Sequence, residues 1–573
     1  MTRKSQRAEQ AQQKPRSRSK SKPKKESEKG RQDSQATELV ELAERAGVEL
    51  FHTPGSDADG YASIPIDGHR ETWRIGTKAF RYWLQRLYWT ANNSAANSQA
   101  MQDAIGVFLG KALFDGAEYP VFVRLAEFDG AIWLDLADDD WRAVRIGQDG
   151  WEVVSNPPVR FVRPRGMLAL PVPERGGNVD DLRRFININD DADWLLLLAW
   201  LLAALRPNGP FPVLGIHGEQ GSAKSTACRM LRGLVDPNKA DLRSGPRNEQ
   251  DLVIASSNGW VVALENLSKI PDWLSDALCR LSTGGGFGTR KLYSDGEEKL
   301  FSAKRPMMLN GITELATPPD LLDRSILISL PRIPDDKRRS EAGLWREFDT
   351  AKARILGALL AAVSTGLANI GDVVLDSKPR MADFAEWACA VEPALDCEPG
   401  AFLAAYMRNR ETANEAAIES SVIAEPLLLF LDNRNEWQGT ATELKMELED
   451  IADTRVVKQK GWPKLPHLLS GELRRIAPNL RRMGYDVEFN KSGGRRLIHI
   501  IRTTPQTSDQ SVPSDQSSGN GRPVASQERP QAPNPASENV EENAPWDAVD
   551  AKDADSHDCS DDRFDWINEA FLP

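Results

Sequence analysis

Five cysteines among 573 residues are too few and too scattered for a disulfide framework. Cys228, Cys279, Cys389, Cys397 and Cys559 form no CxxC pair and have no histidine at ligand spacing, so a zinc site is not expected. Reduced thiols point to a cytoplasmic setting. The first 36 residues hold no apolar run, and nothing there reads as a secretory signal. The longest apolar stretch, Trp194 to Leu205, has 12 residues. A bilayer span needs about 20, so no membrane partner is expected. No repeat of fixed period is present.

What the chain does have is length and charge asymmetry. At about 100–200 residues per domain, it should hold two to four domains. The net charge is −12. Residues 1–36 carry 12 Lys/Arg and 4 Asp/Glu, whereas residues 503–573 carry 4 and 15. Both ends are poor in apolar residues, so 1–36 reads as a disordered basic arm and 504–573 as a disordered acidic tail. The arm is either a phosphate-attracting segment or a solubilising one.

Between the ends, residues 40–162 read as an α+β accessory domain. Helices are expected at Thr37–Ala46, Lys78–Trp89 and Ser98–Phe114. A hairpin region spans 50–76. Short strands follow at Tyr119–Phe128, Ala131–Leu136, Trp141–Ile146 and Trp151–Val153, with turns at Asp129-Gly130 and Asp149-Gly150. Asp135 and Asp138 invite comparison with a metal-binding carboxylate pair. Asp138, Asp139 and Asp140 stand where a hairpin turn is expected, which is the commoner use of aspartate. A linker runs from Arg163 to Gly177.

Residues 178–340 alternate helices with apolar strands, which implies a parallel α/β sheet. The helix Asp191–Leu205 leads to the strand Pro212–His217. The loop Gly218-Glu219-Gln220-Gly221-Ser222-Ala223-Lys224-Ser225-Thr226 comes next, and a helix to Leu234 follows. A strand, a Gly-rich loop ending in Lys-Ser and then a helix is the context in which backbone amides cradle phosphates. Lys224 would neutralise the β and γ phosphates of ATP, and Ser225 would coordinate Mg²⁺. Ala223 departs from the usual second glycine. Further strands are expected at Trp260–Leu264, Pro306–Leu309 and Ile326–Leu330. Glu265 emerges at a strand end, where it would serve the metal. Asn266 follows where a water-orienting carboxylate is common. Asparagine positions a water but cannot take its proton.

The stretch from about 190 to 335 resembles the helicase domain of phage and plasmid primase-helicases in the AAA+ superfamily 3 group, and also uncharacterised bacterial ATP-binding proteins of mobile elements. Four features carry the resemblance, in order. They are the loop at 218–226, the strand end Glu265-Asn266, the segment Ser282–Tyr293, and Pro306-Met-Met-Leu-Asn310-Gly311. The resemblance implies an α/β AAA+ (P-loop NTPase) core. It makes Asn310 the polar sensor and Arg324 an arginine finger reaching a neighbouring subunit's ATP. A homo-oligomeric ring, with six subunits in the family, follows. In that family the third feature precedes a hairpin that grips DNA in a pore; here Arg290, Lys291 and Lys299, which flank the turn Ser294–Glu297, would make that contact. The bland alternatives are an Asn-Gly turn for Asn310, an ion pair to Asp320 or Asp323 for Arg324, and solvated charges for the hairpin.

Residues 341–412 read as a helical lid. The block 413–503 reads as a winged helix, with helices at Glu419–Asp432, Ala441–Ile451 and Leu465–Ala477 and strands at Tyr485–Phe489 and Arg495–Ile501. Residues 455–502 hold 12 Lys/Arg and 3 Asp/Glu. Lys458, Lys460, Lys464, Arg474, Arg475, Arg481, Arg482, Lys491, Arg495 and Arg496 would meet DNA phosphates around a recognition helix and wing. The tail end Asp561–Leu572 sets apolar residues among acids and could dock on a replication partner. The expected function is an ATP-driven DNA helicase or translocase in mobile-element replication. The rival is an ATP-switched DNA-binding regulator with little hydrolysis, which Asn266 favours.

Overall fold

The computed structural model describes residues 34–503 apart from 268, 291–297, 312–317, 420, 460 and 493, and the backbone alone at 287–290, 298–302, 417, 419 and 492. Residues 1–33 of the basic arm, the acidic tail and the turn Ser294–Glu297 lie outside the described residues.

The N-terminal layer begins with α1 (Gln35–Arg45), β1 (Glu49–His52), β2 (Gly60–Ile66) and β3 (His69–Arg74). It continues with α2 (Lys78–Asn92), α3 (Ser98–Phe114) and β4 (Ala117–Glu118). Thr77 and Asn97 accept the backbone N–H groups of Phe80 and Ala100, which fixes where α2 and α3 start. The sheet runs β3-β2-β1-β4. Leu39, Phe80, Leu84, Met101 and Phe108 bury the inner faces of the helices in one cluster.

Six short strands follow: β5 (Val121–Phe122), β6 (Leu125–Phe128), β7 (Ala131–Asp135), β8 (Ala143–Gly147), β9 (Gly150–Val154) and β10 (Arg160–Phe161). Strands β6 to β9 form an antiparallel meander, and β5 pairs with β10. Every residue of β7 is buried, because both of its faces are covered. Trp133 packs with Ala126, Ala143 and Phe161 on one side. Ile132 and Leu134 pack on the other side in the same cluster as Leu197, Leu231 and Leu360. The hydrophobic core therefore continues across the linker at 163–177. Polar contacts fasten the join, among them the fully buried Arg124–Asp236 ion pair at 3.2 Å and two bonds to the helix Glu341–Asn369. The Trp151 indole N–H donates to the Gly357 carbonyl at 3.0 Å, and the Ser364 hydroxyl donates to the Gly147 carbonyl at 2.6 Å.

The central layer comprises α4 (Asp191–Ala204), β11 (Val213–His217), α5 (Lys224–Val235), β12 (Arg243–Ser244), α6 (Glu249–Ser257) and β13 (Val262–Leu267). After these come α7 (Asp272–Thr283), β14 (Gly286–Arg290), β15 (Glu298–Ser302), β16 (Met307–Gly311), α8 (Pro319–Leu322) and β17 (Ser325–Ser329). The five-stranded sheet has the order β12-β13-β16-β11-β17. Every pairing in it is parallel. Its strands read as continuous apolar runs because helices cover both faces. All residues of α4 from Trp194 to Ala204 are buried, which accounts for its lack of a polar face. Each large apolar side chain so buried contributes about 1.5–3 kcal/mol. β14 and β15 form a separate antiparallel hairpin.

Three helices complete this region: α9 (Glu341–Asn369), α10 (Ala382–Val391) and α11 (Ala401–Glu419). Among the described residues, one segment, Glu341–Asp372, is long and apolar enough to cross a membrane by length and composition; half of its apolar window is buried within the fold. Its apolar character serves packing on β8, β9 and α10.

The last block holds α12 (Ala424–Asp432), β18 (Glu436–Thr440), α13 (Ala441–Ile451), α14 (Thr454–Val457), α15 (Pro466–Arg482), β19 (Tyr485–Ser492) and β20 (Arg495–Arg502). The sheet order is β18-β20-β19, antiparallel. Leu427, Phe430, Leu444, Leu473, Val487 and Ile500 share its own core. Several details differ from the sequence expectation. The helix expected at Glu419–Asp432 starts at Ala424, because α11 runs on to Glu419, and the strand expected at Tyr485–Phe489 extends to Ser492 along β20. β18 falls outside the expected elements, since Glu436-Trp-Gln-Gly-Thr440 shows no clean alternation and is held by pairing with β20. Helix α15 also continues past Ala477 through Pro478 to Arg482.

Candidate nucleotide site and DNA-facing surface

The glycine-rich loop leaves the C-terminal end of β11 and enters α5. Gly218 has φ +144°, and a Cβ there would lie 2.3 Å from the Leu330 carbonyl oxygen. That carbonyl cannot easily retreat, because the Leu330 N–H is bonded to the His217 carbonyl at 2.9 Å. Gly221 has φ +87°. Ala223 stands at the N-cap of α5 in the left-handed conformation, φ +64° and ψ +28°. A non-glycine residue there stores on the order of 1 kcal/mol of strain, which marks the position a glycine normally occupies. No side chain caps α5. Its first N–H groups therefore point into the loop without a side-chain acceptor, at the positive end of the helix dipole.

Glu219, Gln220 and Gly221 form the exposed rim, Ser222 is buried, and Lys224, Ser225 and Thr226 are half-buried on the first turn. The Lys224 ammonium donates to the carbonyls of Gly218 at 2.7 Å and Glu219 at 2.8 Å, and to the Ser222 hydroxyl at 3.3 Å. Partial burial holds its pKa below the usual lysine value. His217, half-buried at the end of β11 and close to Lys224, is likewise pushed below the ordinary histidine value, by burial first and by the lysine charge second. Asn187 ties the loop to the helical side by donating to the carbonyls of Ser222 at 3.3 Å and Pro331 at 2.5 Å.

Asn310 joins two neighbouring strands at their C-terminal ends. It is 3% exposed at the end of β16. Its Oδ1 accepts the Asn266 backbone N–H at 2.8 Å, and its Nδ2 lies 3.4 Å from the Ser225 hydroxyl. Asn266 itself sits at φ +56°, where the register between β13 and β16 slips after Leu264. This kink turns Asn266 outward to solvent and leaves Glu265 half-buried beside the loop helix. The structure thus brings Lys224, Ser225, Glu265, Asn266 and Asn310 to one end of the sheet. Cys228, also against Asn310, is an inert neighbour whose thiol burial pushes up to about 12.

Arg324 lies at the other end. β17 runs parallel to β11 with Ser325 opposite Val213, and the Arg324 carbonyl accepts the Val213 N–H at 2.8 Å. Val213 starts β11, whereas the loop follows its last residue. About six strand steps, roughly 20 Å, separate Arg324 from the loop of its own chain. Its guanidinium pairs with Asp320, the bland alternative named above. Asp320 also pairs with Arg380. Asp323 receives Arg380 at 3.3 Å, Arg410 at 3.6 Å and Arg482 from α15. The residue before Arg324 is therefore tied to the C-terminal block. The hairpin of β14 and β15 ends just before β16 begins, so it springs from the same end of the sheet as Arg324.

Several of the cations expected to meet DNA are engaged internally. Arg475 pairs with Glu472, Arg481 with Asp486, and Arg482 with Asp323 and Asn414. Net charge per segment could not reveal this, because each carboxylate lies a turn or a domain away. Lys458, Lys464, Arg474, Lys491, Arg495 and Arg496 make no ion pair among the described residues. Lys460 lies outside the described residues. Arg474 stacks on Phe489 at 4.3 Å. With His467, Lys491 and Arg496 it lines a cavity of about 370 Å³ between α15 and the β19–β20 hairpin.

The carboxylate pair Asp135 and Asp138 serves structure. Asp135 is 1% exposed and accepts both arms of Arg163, at 3.0 and 2.7 Å. Asp138 accepts the Arg142 backbone N–H at 2.9 Å and its guanidinium at 2.7 Å. Among the described residues no cluster of His, Cys, Asp and Glu is arranged to hold a metal ion.

Fold and site together define an α/β protein with a parallel sheet and a glycine-rich loop between a strand and a helix. Residues 179–411 match the family model described as the actinomycete integrative conjugative element replication protein. Residues 423–517 match the AICE RepA C-terminal domain. The chain therefore carries replication-protein domains of the kind found in these mobile elements. No curated protein matches it. Among solved structures, the A form apo structure of the NrS-1 C-terminal region is 12% identical, with a TM-score of 0.37, covering 81% of this chain and 98% of that one. An apo structure of the same region covers 82% and 100%, at 12% identity and a TM-score of 0.34.

Proposed function

We propose that this chain is an ATPase of the AAA+ superfamily 3 type that acts as a DNA helicase or translocase in replication of a mobile element. The observation that carries the reading is the uncapped N-terminus of α5 behind the loop 218–226, with Lys224 and Ser225 on its first turn and Asn310 bridging to the next strand. Orphan helix N–H groups beside a lysine fit the phosphates of a nucleotide. Ser225 and Glu265 would hold Mg²⁺, which supplies charge neutralisation for phosphoryl transfer when bound. Lys224 would bind the terminal phosphates. Asn266, held by Asn310, would orient a water.

Assembly into a ring follows from Arg324. It cannot reach the loop of its own chain, so its role in the chemistry would be at a neighbour's site, after exchanging its Asp320 pair. Arg380 already contacts the same carboxylate and would keep it neutralised. DNA would contact the β14–β15 hairpin and a winged helix formed by residues 423–503. The tail after 504 would recruit a replication partner.

The test is ATP turnover with and without single-stranded DNA. Turnover that rises severalfold with DNA supports a DNA-coupled motor. A second reading, an ATP-switched DNA-binding regulator, is favoured by Asn266, which offers no carboxylate at the water-orienting position. It predicts ATP binding with turnover that stays near zero with or without DNA.

A further inference from the structure

One face of α2 has no role in the nucleotide site, and neither family match reaches it. Phe80, Leu84 and Tyr88 point inward to the N-terminal core. The opposite side presents Tyr82 at 71% exposure and Trp89 at 55%. Two large aromatics exposed on one face of an ordered helix make that face a candidate contact surface. Lys78, Arg81 and Arg86 are exposed around them. At 3.6 residues per turn, Lys78, Tyr82, Arg86 and Trp89 fall within an arc of about 80°, with the two aromatics about 10.5 Å apart.

The charge on this face is not compensated. The α2 sequence contains no Asp or Glu. Lys78, Arg81 and Arg86 make no ion pair among the described residues. The acids on the elements packed beside α2 are already engaged. Glu41 pairs with Arg45 and Glu44 with Lys111 on the N-terminal helices. Glu38 faces Tyr88, and Glu71 on β3 pairs with His69. The 36 residues that lead into this layer add 12 Lys/Arg against 4 Asp/Glu.

From these observations we infer that the outer face of α2 is a single-stranded DNA-binding surface, with Tyr82 and Trp89 as stacking platforms and Lys78, Arg81 and Arg86 as phosphate contacts. Unpaired bases expose π-faces that aromatics can cover, and the backbone supplies the anions the cations lack. Duplex DNA keeps its bases stacked inside and gains nothing from the aromatics. A protein partner suited to the aromatics alone would bury three unpaired cations at a cost. The inference rests on DNA as the substrate and on no feature of the nucleotide site.

The test uses the whole chain without nucleotide and measures anisotropy of a labelled thymidine oligomer and of a mixed-sequence duplex of equal length. Tyr82→Ala with Trp89→Ala should weaken binding of the oligomer at least about twentyfold at fixed salt, from the loss of two stacking contacts. Duplex binding should change less than twofold. Arg81→Ala with Arg86→Ala should lower the salt slope for the oligomer by about 1.4, at 0.7 per contact. All these side chains are exposed, so unchanged thermal midpoints verify folding. The inference is overturned by aromatic variants within twofold of the parent on the oligomer. It is also overturned by equal losses on oligomer and duplex, or by lost self-association in sedimentation with oligomer affinity intact, which would make the occupant a second copy. ATP binding by the same variants separates this outcome from any failure of the nucleotide reading.

Discussion

Asn310 offers the sharpest test of the site geometry, because its two ends do different work. Asn310→Leu keeps the branched shape and removes both polar contacts. The Asn266 N–H, now 2.8 Å from Oδ1, loses its acceptor. Leaving a part-buried donor unmet costs about 1–3 kcal/mol. Part of that is recovered when the left-handed kink at Asn266, which stores roughly 1 kcal/mol, relaxes. Relaxation moves Asn266 and Glu265 away from Ser225. A displacement near 1 Å at a reacting centre costs on the order of 100-fold in rate. The contacts that hold phosphates, from α5 and Lys224, are untouched. Asn310→Leu should therefore bind a fluorescent ATP analogue within about threefold of the parent while turnover falls about 100-fold. Asn310→Asp should behave in the opposite sense. It keeps an acceptor for Asn266 but sets a carboxylate against the loop that must receive an anion, so binding should fail first. Equal losses of affinity and turnover in the leucine variant, with no change in unfolding midpoint, would refute the bridging role.

Three further outcomes are expected. Arg324→Ala should spare ATP binding and abolish turnover, and mixing it with Glu265→Gln subunits should restore activity at mixed interfaces; no restoration, with a monomeric mass in ATP, contradicts a shared site. Lys491→Glu with Arg496→Glu should lower the salt slope of duplex binding by about 1.8, whereas Arg475→Ala should leave it unchanged because that guanidinium is held by Glu472. Asp193 has its carboxyl raised to about 6 by burial and by nearby Asp190. With a folded pKa above the unfolded one, its contribution is present below about pH 4 and is lost as pH rises through 6. Asp193→Asn should therefore stabilise the chain at pH 7.5 by about 1–2 kcal/mol, discounted for its partial exposure, and have little effect at pH 4. Thermal melts at the two pH values read this directly.

The sequence made the local elements legible because their signals are local. Ser98–Phe114 and Ala441–Ile451 have the bounds that periodicity gives, and the loop between β11 and α5 announces itself by glycine, lysine and serine in order. What was not legible depends on pairing across distance. β18 exists because β20 offers it an edge, and its own residues carry little strand pattern. The meander of β6 to β9 reads as part of a separate domain, yet Leu134 and Trp151 share a core with α9, some two hundred residues away. The basic block showed its net charge but not its partners. Glu472 lies one turn from Arg475, and Asp323 comes from a different layer to meet Arg482. The same limit applies to Asn310: its type and position mark a polar strand end, but only the folded sheet brings Asn266 and Ser225 to its two sides.

The most direct test of the account is calorimetric titration of the whole chain with Mg-ATP, for the parent and for Lys224→Ala. The account predicts one site per chain in the parent and an affinity at least about 30-fold weaker in the variant, from the loss of charge-assisted contacts to the terminal phosphates. Equal affinities in the two proteins, with equal stoichiometry, would contradict it and place any nucleotide site elsewhere.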